Sequence, residues 1–296
     1  MKLKGVIFSL LALILTGFLL MGVFNYVVYS RMERVLRSGA VQIPTGSSLD
    51  DQAGVLFREG FLADSAEYKA IARRMGYESV HPGNYALEQG MSYRDLLRLI
   101  GKGYQTPVRL TFNNIRSRER LAAVLGRQIE PDSALLMDAF STDSLTRKYG
   151  FDTLNVLSLF IPDTYEVYWN ITPEKLMERM KREYDRFWEK PERREALERS
   201  GLSRQEVSVL ASIVDEETNY IPEMPLIAGV YLARLKKGIP LQADPTVKYA
   251  LGDPAIKRIL YKHLQVDSPF NTYRRTGLPP APISLPSIAA IDAVLH

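Results

Sequence analysis

The sequence has no cysteine, which excludes disulfides, thiolate catalysis, cysteine-based zinc sites and a lipid anchor carried on cysteine. Histidine is scarce as well. His81, His263 and His296 lie far apart and form no metal-ligand spacing, so neither a metal site nor a cofactor is expected. Internal repeats, low-complexity segments and Gly/Ser linkers are also missing, which leaves domain boundaries soft. The net charge is only +4, with a pI of about 9.1. No Lys/Arg cluster is interleaved with aromatics, so no nucleic-acid partner is expected. The 296 residues are 46% hydrophobic and 24% charged, enough for one or two globular domains with a sizeable core.

One long hydrophobic run is present. Gly5 to Tyr29 is 25 residues without a charge. At a rise of 1.5 Å per residue, that run is long enough for a bilayer core of about 30 Å. A cleaved signal peptide has a shorter apolar run and a small-residue cleavage site, whereas bulky residues close this one. The expectation is an uncleaved single-pass anchor over residues 1–30. Lys2 and Lys4 precede the run and Arg31, Arg34 and Arg37 follow it, so charge does not set the orientation. A short tail and a large C-terminal part suit a protein that exports that part.

Beyond the anchor the pattern is α+β. "VQIP" reads as a short strand, followed by a helix capped at Ser48 or Asp50 and ending near Gly60, and by a second helix from Ser65 to Met75. "GNYALEQG" reads as a strand, and the helix "MSYRDLLRLIGKG", capped by Ser92, is appended to this module. Pro107 to Asn114 alternates apolar and polar residues as a strand does, and a helix begins at Ser117. Thr172–Pro173 opens a long charged helix expected to stand off the core. Ser268 to Pro286 has little periodicity and five prolines, as an ordered loop does.

The stretch "ASIVDEETNY", residues 211–220, carries three adjacent carboxylates, Asp215, Glu216 and Glu217. At 100° per residue, Leu210 lies about 20°, Ile213 about 40° and Val214 about 60° from Glu217 around the helix axis. Glu217 therefore continues an apolar stripe, while Asp215 falls on the opposite face. The helix ends before Pro222, so Glu217 also sits at the negative end of the helix dipole. A half-buried carboxyl there has a raised pKa, which a general acid working near neutral pH requires. Spacing alone leaves two readings open: a general acid, or an ion pair with an arginine at a domain edge. Asp244 followed by Pro245 is sufficiently explained as an N-cap with an N1 proline.

"ASIVDEET…VYLARLKKGIPLQADPTVKYALG" with "FNTYRRTGLPPAPISLPS" and "LFIPDTYEVY" resembles the YceG-like family, the endolytic murein transglycosylases (MltG). The resemblance covers nearly the whole chain. It implies a LysM-like subdomain over residues 31–105, a mixed α/β catalytic domain over 106–296, and a membrane-anchored enzyme of the inner membrane with that domain in the periplasm. It further implies cleavage of MurNAc–GlcNAc bonds within nascent peptidoglycan strands, leaving 1,6-anhydro-MurNAc ends and limiting strand length. The implied partners are peptidoglycan glycan strands, peptidoglycan synthases, and the membrane through the N-terminal helix.

In the family motif the second glutamate is catalytic, and it falls on Glu217. The first is replaced here by Asp215, one methylene shorter. The resemblance places Asp215, Gln242, Asp244, Thr246, Asn271, Thr272 and Tyr273 along the substrate. The chain stops within an apparent helix, "AAIDAVLH", where family members continue, so a shortened C-terminus is expected. Two other readings stand beside the transglycosylase: a non-catalytic peptidoglycan-binding scaffold, and a hydrolase pairing Glu217 with a second acid such as Asp244.

Overall fold

The structure is a computed structural model describing residues 2–30, 35–77, 80–253, 255–256 and 258–296, without the side chains of 2–10 and 27–30. Arg31 and Arg34, and the side chains of Lys2 and Lys4, lie outside the described residues. The chain divides into two units, Met1–Val108 with Tyr168–Asn170, and Arg109–Val167 with Ile171–His296.

The first unit begins with helix α1 (Lys2–Ser30). The anchor expected over Gly5–Tyr29 is corrected here: among the described residues, no helix is long and apolar enough to cross a membrane. Residues 11–26, whose side chains are described, are all exposed. The inner-membrane location, the periplasmic placement and the membrane as a partner all rested on that span and fall with it.

Strands β1 (Gly39–Ile43) and β2 (Gly83–Leu87) pair antiparallel, with Gly39 opposite Leu87 and Ile43 opposite Gly83. Between them lie α2 (Leu49–Arg58), opened by a capping box of Ser48 and Asp51, and α3 (Ser65–Arg74), capped by Asp64. Helix α4 (Tyr93–Gly101) follows, capped by Ser92. Residues 31–105, expected as a LysM-like subdomain, do not stand as a distinct body: the unit they belong to also takes in α1 and Tyr168–Asn170. Within it, Tyr93, Leu96, Leu97 and Ile100 of α4 fill the same core as Val41, Ile43, Leu56, Tyr68 and Tyr85. Tyr68 meets Tyr93 edge-on at 5.4 Å, and its buried hydroxyl accepts from Gln52 Nε2 at 3.0 Å. Gly101 is needed where it lies, because a Cβ there would meet the Tyr77 ring at 2.4 Å.

The second unit is mostly helical. Strands β3 (Val108–Phe112) and β4 (Asp163–Val167) form its two-stranded sheet, with Phe112 stacked on Tyr165 at 5.6 Å. Helices α5 (Arg118–Leu125), α6 (Ser133–Ser141) and α7 (Asp143–Lys148) lie between the strands in sequence. Helix α8 (Pro173–Trp188) does not stand off the core. Leu176, Met177, Met180, Tyr184, Phe187 and Trp188 form a buried helical stripe, and its charges pair with one another, as Arg179 does with Glu183 at 2.8 Å.

After α9 (Pro191–Ser200), helix α10 (Arg204–Glu217) runs through the middle of the unit, buried on every side from Val207 to Val214. Helices α11 (Met224–Lys236), α12 (Asp244–Leu251) and α13 (Ile288–Leu295) pack around it. The loop 266–286 has no helix or strand, yet residues 281–286 are buried. Its backbone is held by Ser212 Oγ, which accepts from Ile283 N at 3.0 Å, and by Ile115 O, which accepts from Leu285 N at 2.7 Å.

Candidate active site

Because α10 is buried all round from Val207 to Val214, its apolar stripe selects no face; Glu217 is an exposed residue whose carboxyl is nevertheless partly desolvated, as expected. The helix emerges at its two ends, and in its last turn the three acids meet different surroundings. Asp215, half-buried, accepts from the Ser287 hydroxyl at 2.5 Å and the Ser287 amide at 3.2 Å. Ser287 is the N-cap of α13, so Asp215 joins α10 to the positive end of a neighbouring helix. Glu216 accepts from Arg116 Nε at 2.9 Å. Glu217, exposed at the last helical position, has no ion pair among the described residues. Its closest polar partner is the Tyr231 hydroxyl, which donates to Glu217 Oε2 across a long 3.4 Å.

Glu217 opens onto a cleft of about 750 Å³. Glu216, Glu217, Asp244 and Asp253 contribute its acids, Arg116, Lys248 and Arg258 its bases, and Tyr249, Ile259 and Ile283 its apolar surface. Partial burial raises the pKa of Glu217. The Tyr231 hydrogen bond opposes that shift, and the negative charges of Asp244 and Glu223 reinforce it. Glu217 thus combines exposure to the cleft with a weakened hold on its charge, since surrounding atoms displace water from the carboxyl without covering it.

Asp244 is not the cap expected from its sequence. Ala243 occupies the N-cap position of α12 and Asp244 is the first helical residue, with no side-chain capping bond. Its Oδ1 instead accepts from the Tyr273 hydroxyl at 2.6 Å. Burial, with the adjoining Asp244 charge, pushes the Tyr273 phenol up to about 12, so it remains a donor. Gln242 has a positive φ of 55° and is held there by Arg234, whose Nη1 donates to Pro240 O at 3.0 Å and to Gln242 Oε1 at 2.8 Å.

Thr246, Asn271 and Thr272 are buried behind this edge and do not line the cleft. Thr246 Oγ1 donates to Ala243 O at 2.7 Å, and Thr272 Oγ1 accepts from Ala243 N at 3.0 Å. The two hydroxyls lie 2.8 Å apart, and since the Thr246 proton goes to Ala243, Thr272 donates between them. Asn271 Nδ2 donates to Leu264 O and Val266 O, at 2.9 and 2.7 Å. These residues hold the start of α12 against the 271–273 turn, and so set Asp244 and Tyr273 beside each other.

Of the residues expected along the substrate, Asp244 lines the cleft, together with the expected catalytic Glu217. Arg116, Ser117, Lys248, Tyr249, Arg258 and the Tyr231 hydroxyl were not foreseen. Lys248 and Tyr249 follow Asp244 and Pro245 by four residues on α12, a spacing that signals a shared face once Asp244 is suspected. Arg116 lies 100 residues from its partner Glu216, and local sequence holds no sign of that contact.

The cleft thus sets a carboxyl with a raised pKa, paired with no cation among the described residues, within the field of an acid held by a tyrosine. The chain belongs to the YceG-like family, whose sequence model matches residues 41–296. The endolytic murein transglycosylase of Bacillus subtilis strain 168 is 28% identical over 282 residues, covering 86% of this chain and 75% of that protein. The protein of the same description from Streptococcus pneumoniae D39 is 26% identical over 291 residues, and the chain spans about half of its length (52%). The crystal structure of a YceG-like protein from Listeria monocytogenes superposes with a TM-score of 0.56 at 25% identity, covering 88% of this chain and 90% of that one.

Proposed function

We propose that this chain is a lytic transglycosylase acting on peptidoglycan, cutting the MurNAc–GlcNAc bond within glycan strands and leaving 1,6-anhydro-MurNAc ends. The reading rests on one observation above all: Glu217, its pKa raised, stands in an open cleft beside the charge of Asp244. Family membership and the printed names of the relatives point the same way.

Glu217 begins protonated and gives its proton to the glycosidic oxygen as the bond to the muramyl C1 breaks. Positive charge then develops on the sugar. Asp244, fixed by the Tyr273 hydroxyl, supplies the negative field that stabilises it. Glu217, now a carboxylate, takes the proton from the muramyl C6 hydroxyl as that oxygen closes on C1. The proton count balances and no water is consumed. Tyr249, 41% exposed in the cleft, offers a ring face to the apolar side of a sugar. In this scheme residues 106–296 carry the catalysis, and Gln242, Thr246, Asn271 and Thr272 act by shaping the edge that presents Asp244 and Tyr273.

Mass spectrometry of the products from purified glycan strands tests the scheme. The native chain is expected to release anhydro-ended fragments, and Glu217→Gln to release none while unfolding at no lower a temperature. Fragments heavier by one water would instead mark a hydrolase in which Asp244 directs water, a two-carboxylate arrangement. Retention of strands without any released product would mark a non-catalytic scaffold.

A further inference from the structure

The cleft carries positive charge that the proton transfers above do not use. Of its three cations, Arg116 is taken by Glu216 at 2.9 Å. Lys248 and Arg258 are both exposed in the cleft, and among the described residues neither side chain has a hydrogen bond or ion pair. The nearby acids pair with neither cation among the described residues: Asp244 accepts from Tyr273 at 2.6 Å, and Asp253 accepts from the Ala255 amide at 2.8 Å.

The two cations also follow a direction. Asp244, Lys248 and Gly252 line the cleft at intervals of four residues on α12 and its cap. Lys248 therefore lies about 6 Å, and Gly252 about 12 Å, along the helix axis from Asp244. Gly252, at a φ of 63°, turns the chain, and Arg258 comes after it. The acids of the reaction occupy one end, and unpaired positive charge begins one helical turn away. The negative end of the α12 dipole would account for a lysine in the last turn, but not for an arginine beyond the helix.

We infer that Lys248 and Arg258 form an anion subsite, which takes carboxylates borne by the glycan strand beyond the sugar held at Glu217. The identity of the polymer rests on the proposed function; the charge arrangement does not. Two parts of such a strand offer that chemistry: the stem peptides, and the lactyl carboxylate uncovered when the peptide is removed.

The test is a binding measurement on the full chain carrying Glu217→Gln, so that no turnover intervenes. The probes are strands with intact stem peptides and the same strands stripped by an amidase. Adding Lys248→Gln or Arg258→Gln is expected to weaken Kd about three- to tenfold and to flatten its salt dependence. Arg182→Gln, on the exposed side of α8, controls for net charge and is expected to change nothing. A loss confined to peptide-bearing strands assigns the subsite to stem carboxylates, and a loss on stripped strands assigns it to lactyl groups. Unchanged Kd for both probes, an equal loss in Arg182→Gln, or no measurable binding of either probe overturns the subsite. If Kd shifts as expected while the chain with Glu217 intact yields no anhydro ends, the proposed reaction falls and the subsite stands.

Discussion

Replacing Thr272 with valine keeps the shape of the side chain and removes one hydroxyl from the sealed network behind the cleft. That hydroxyl accepts from the Ala243 amide at 3.0 Å and donates to Thr246 Oγ1, 2.8 Å away, in a place where Ala243, Thr246 and Thr272 are all buried. Leaving the Ala243 N–H buried without an acceptor costs about 1–3 kcal/mol, and the lost hydroxyl pair about 1 kcal/mol more. The expected loss is therefore roughly 2–4 kcal/mol, a large share of a domain's net stability. Thr272→Ser keeps the hydroxyl and gives up one methyl, for about 1 kcal/mol.

Urea unfolding separates the two, since the valine variant should show the larger fall in midpoint at an unchanged slope. Ala243 precedes Asp244 and Thr272 precedes Tyr273, so the valine variant should also lose kcat, while the serine variant retains most of it. A valine variant no less stable than the serine one would show that these hydroxyls do not hold the edge of the cleft together. Full stability with a raised KM would instead return Thr272 to direct substrate contact.

Asp215→Ala removes both acceptors of Ser287 at the start of α13 and should cost about 1–2 kcal/mol, read as a fall in Tm. A variant that keeps its Tm but binds strands more weakly would assign Asp215 to the substrate instead. The raised pKa of Glu217 means that the folded chain holds this proton more tightly than the unfolded one. Ionising Glu217 therefore costs stability as pH rises from the unfolded carboxyl value through the folded one, and the Tm advantage of Glu217→Gln over the native chain should widen across that window. A flat or shrinking gap would contradict the shift. Asp244→Asn removes a charge that raises the Glu217 pKa, so the alkaline limb of the kcat/KM profile should move to lower pH. Movement to higher pH would show that Asp244 does not act on Glu217 as a charge.

Much of the local structure was legible because it depends on neighbours in the chain. Ser48, Ser92, Ser117 and Thr172 each cap the helix that their position promises, since a cap needs only an amide two or three residues on. The charged helix α8 was misjudged because its composition is mostly polar, while the six side chains that matter share one face. The apolar run at the N-terminus was counted by length, and the described residues do not support a span of that length. The LysM-like module was bounded at residues 31–105 on resemblance, whereas packing gathers that stretch into a unit with α1 and Tyr168–Asn170.

Helix positions and caps, and the presence of an acid where α10 ends, follow from the sequence itself, because spacing along a helix is set by backbone geometry. Glu217 was singled out for a reason the fold does not support, since α10 is buried on all sides and has no apolar stripe to continue. Tertiary structure alone distinguished the three acids. Ser287 comes from 72 residues away to occupy Asp215, Arg116 from 100 residues away to occupy Glu216, and among the described residues no cation pairs with Glu217. The same packing turned Asp244 from a cap into the partner of Tyr273, 29 residues further along the chain. Charge at a site depends on distance in space, and contacts across such separations leave no trace in the local pattern of residues.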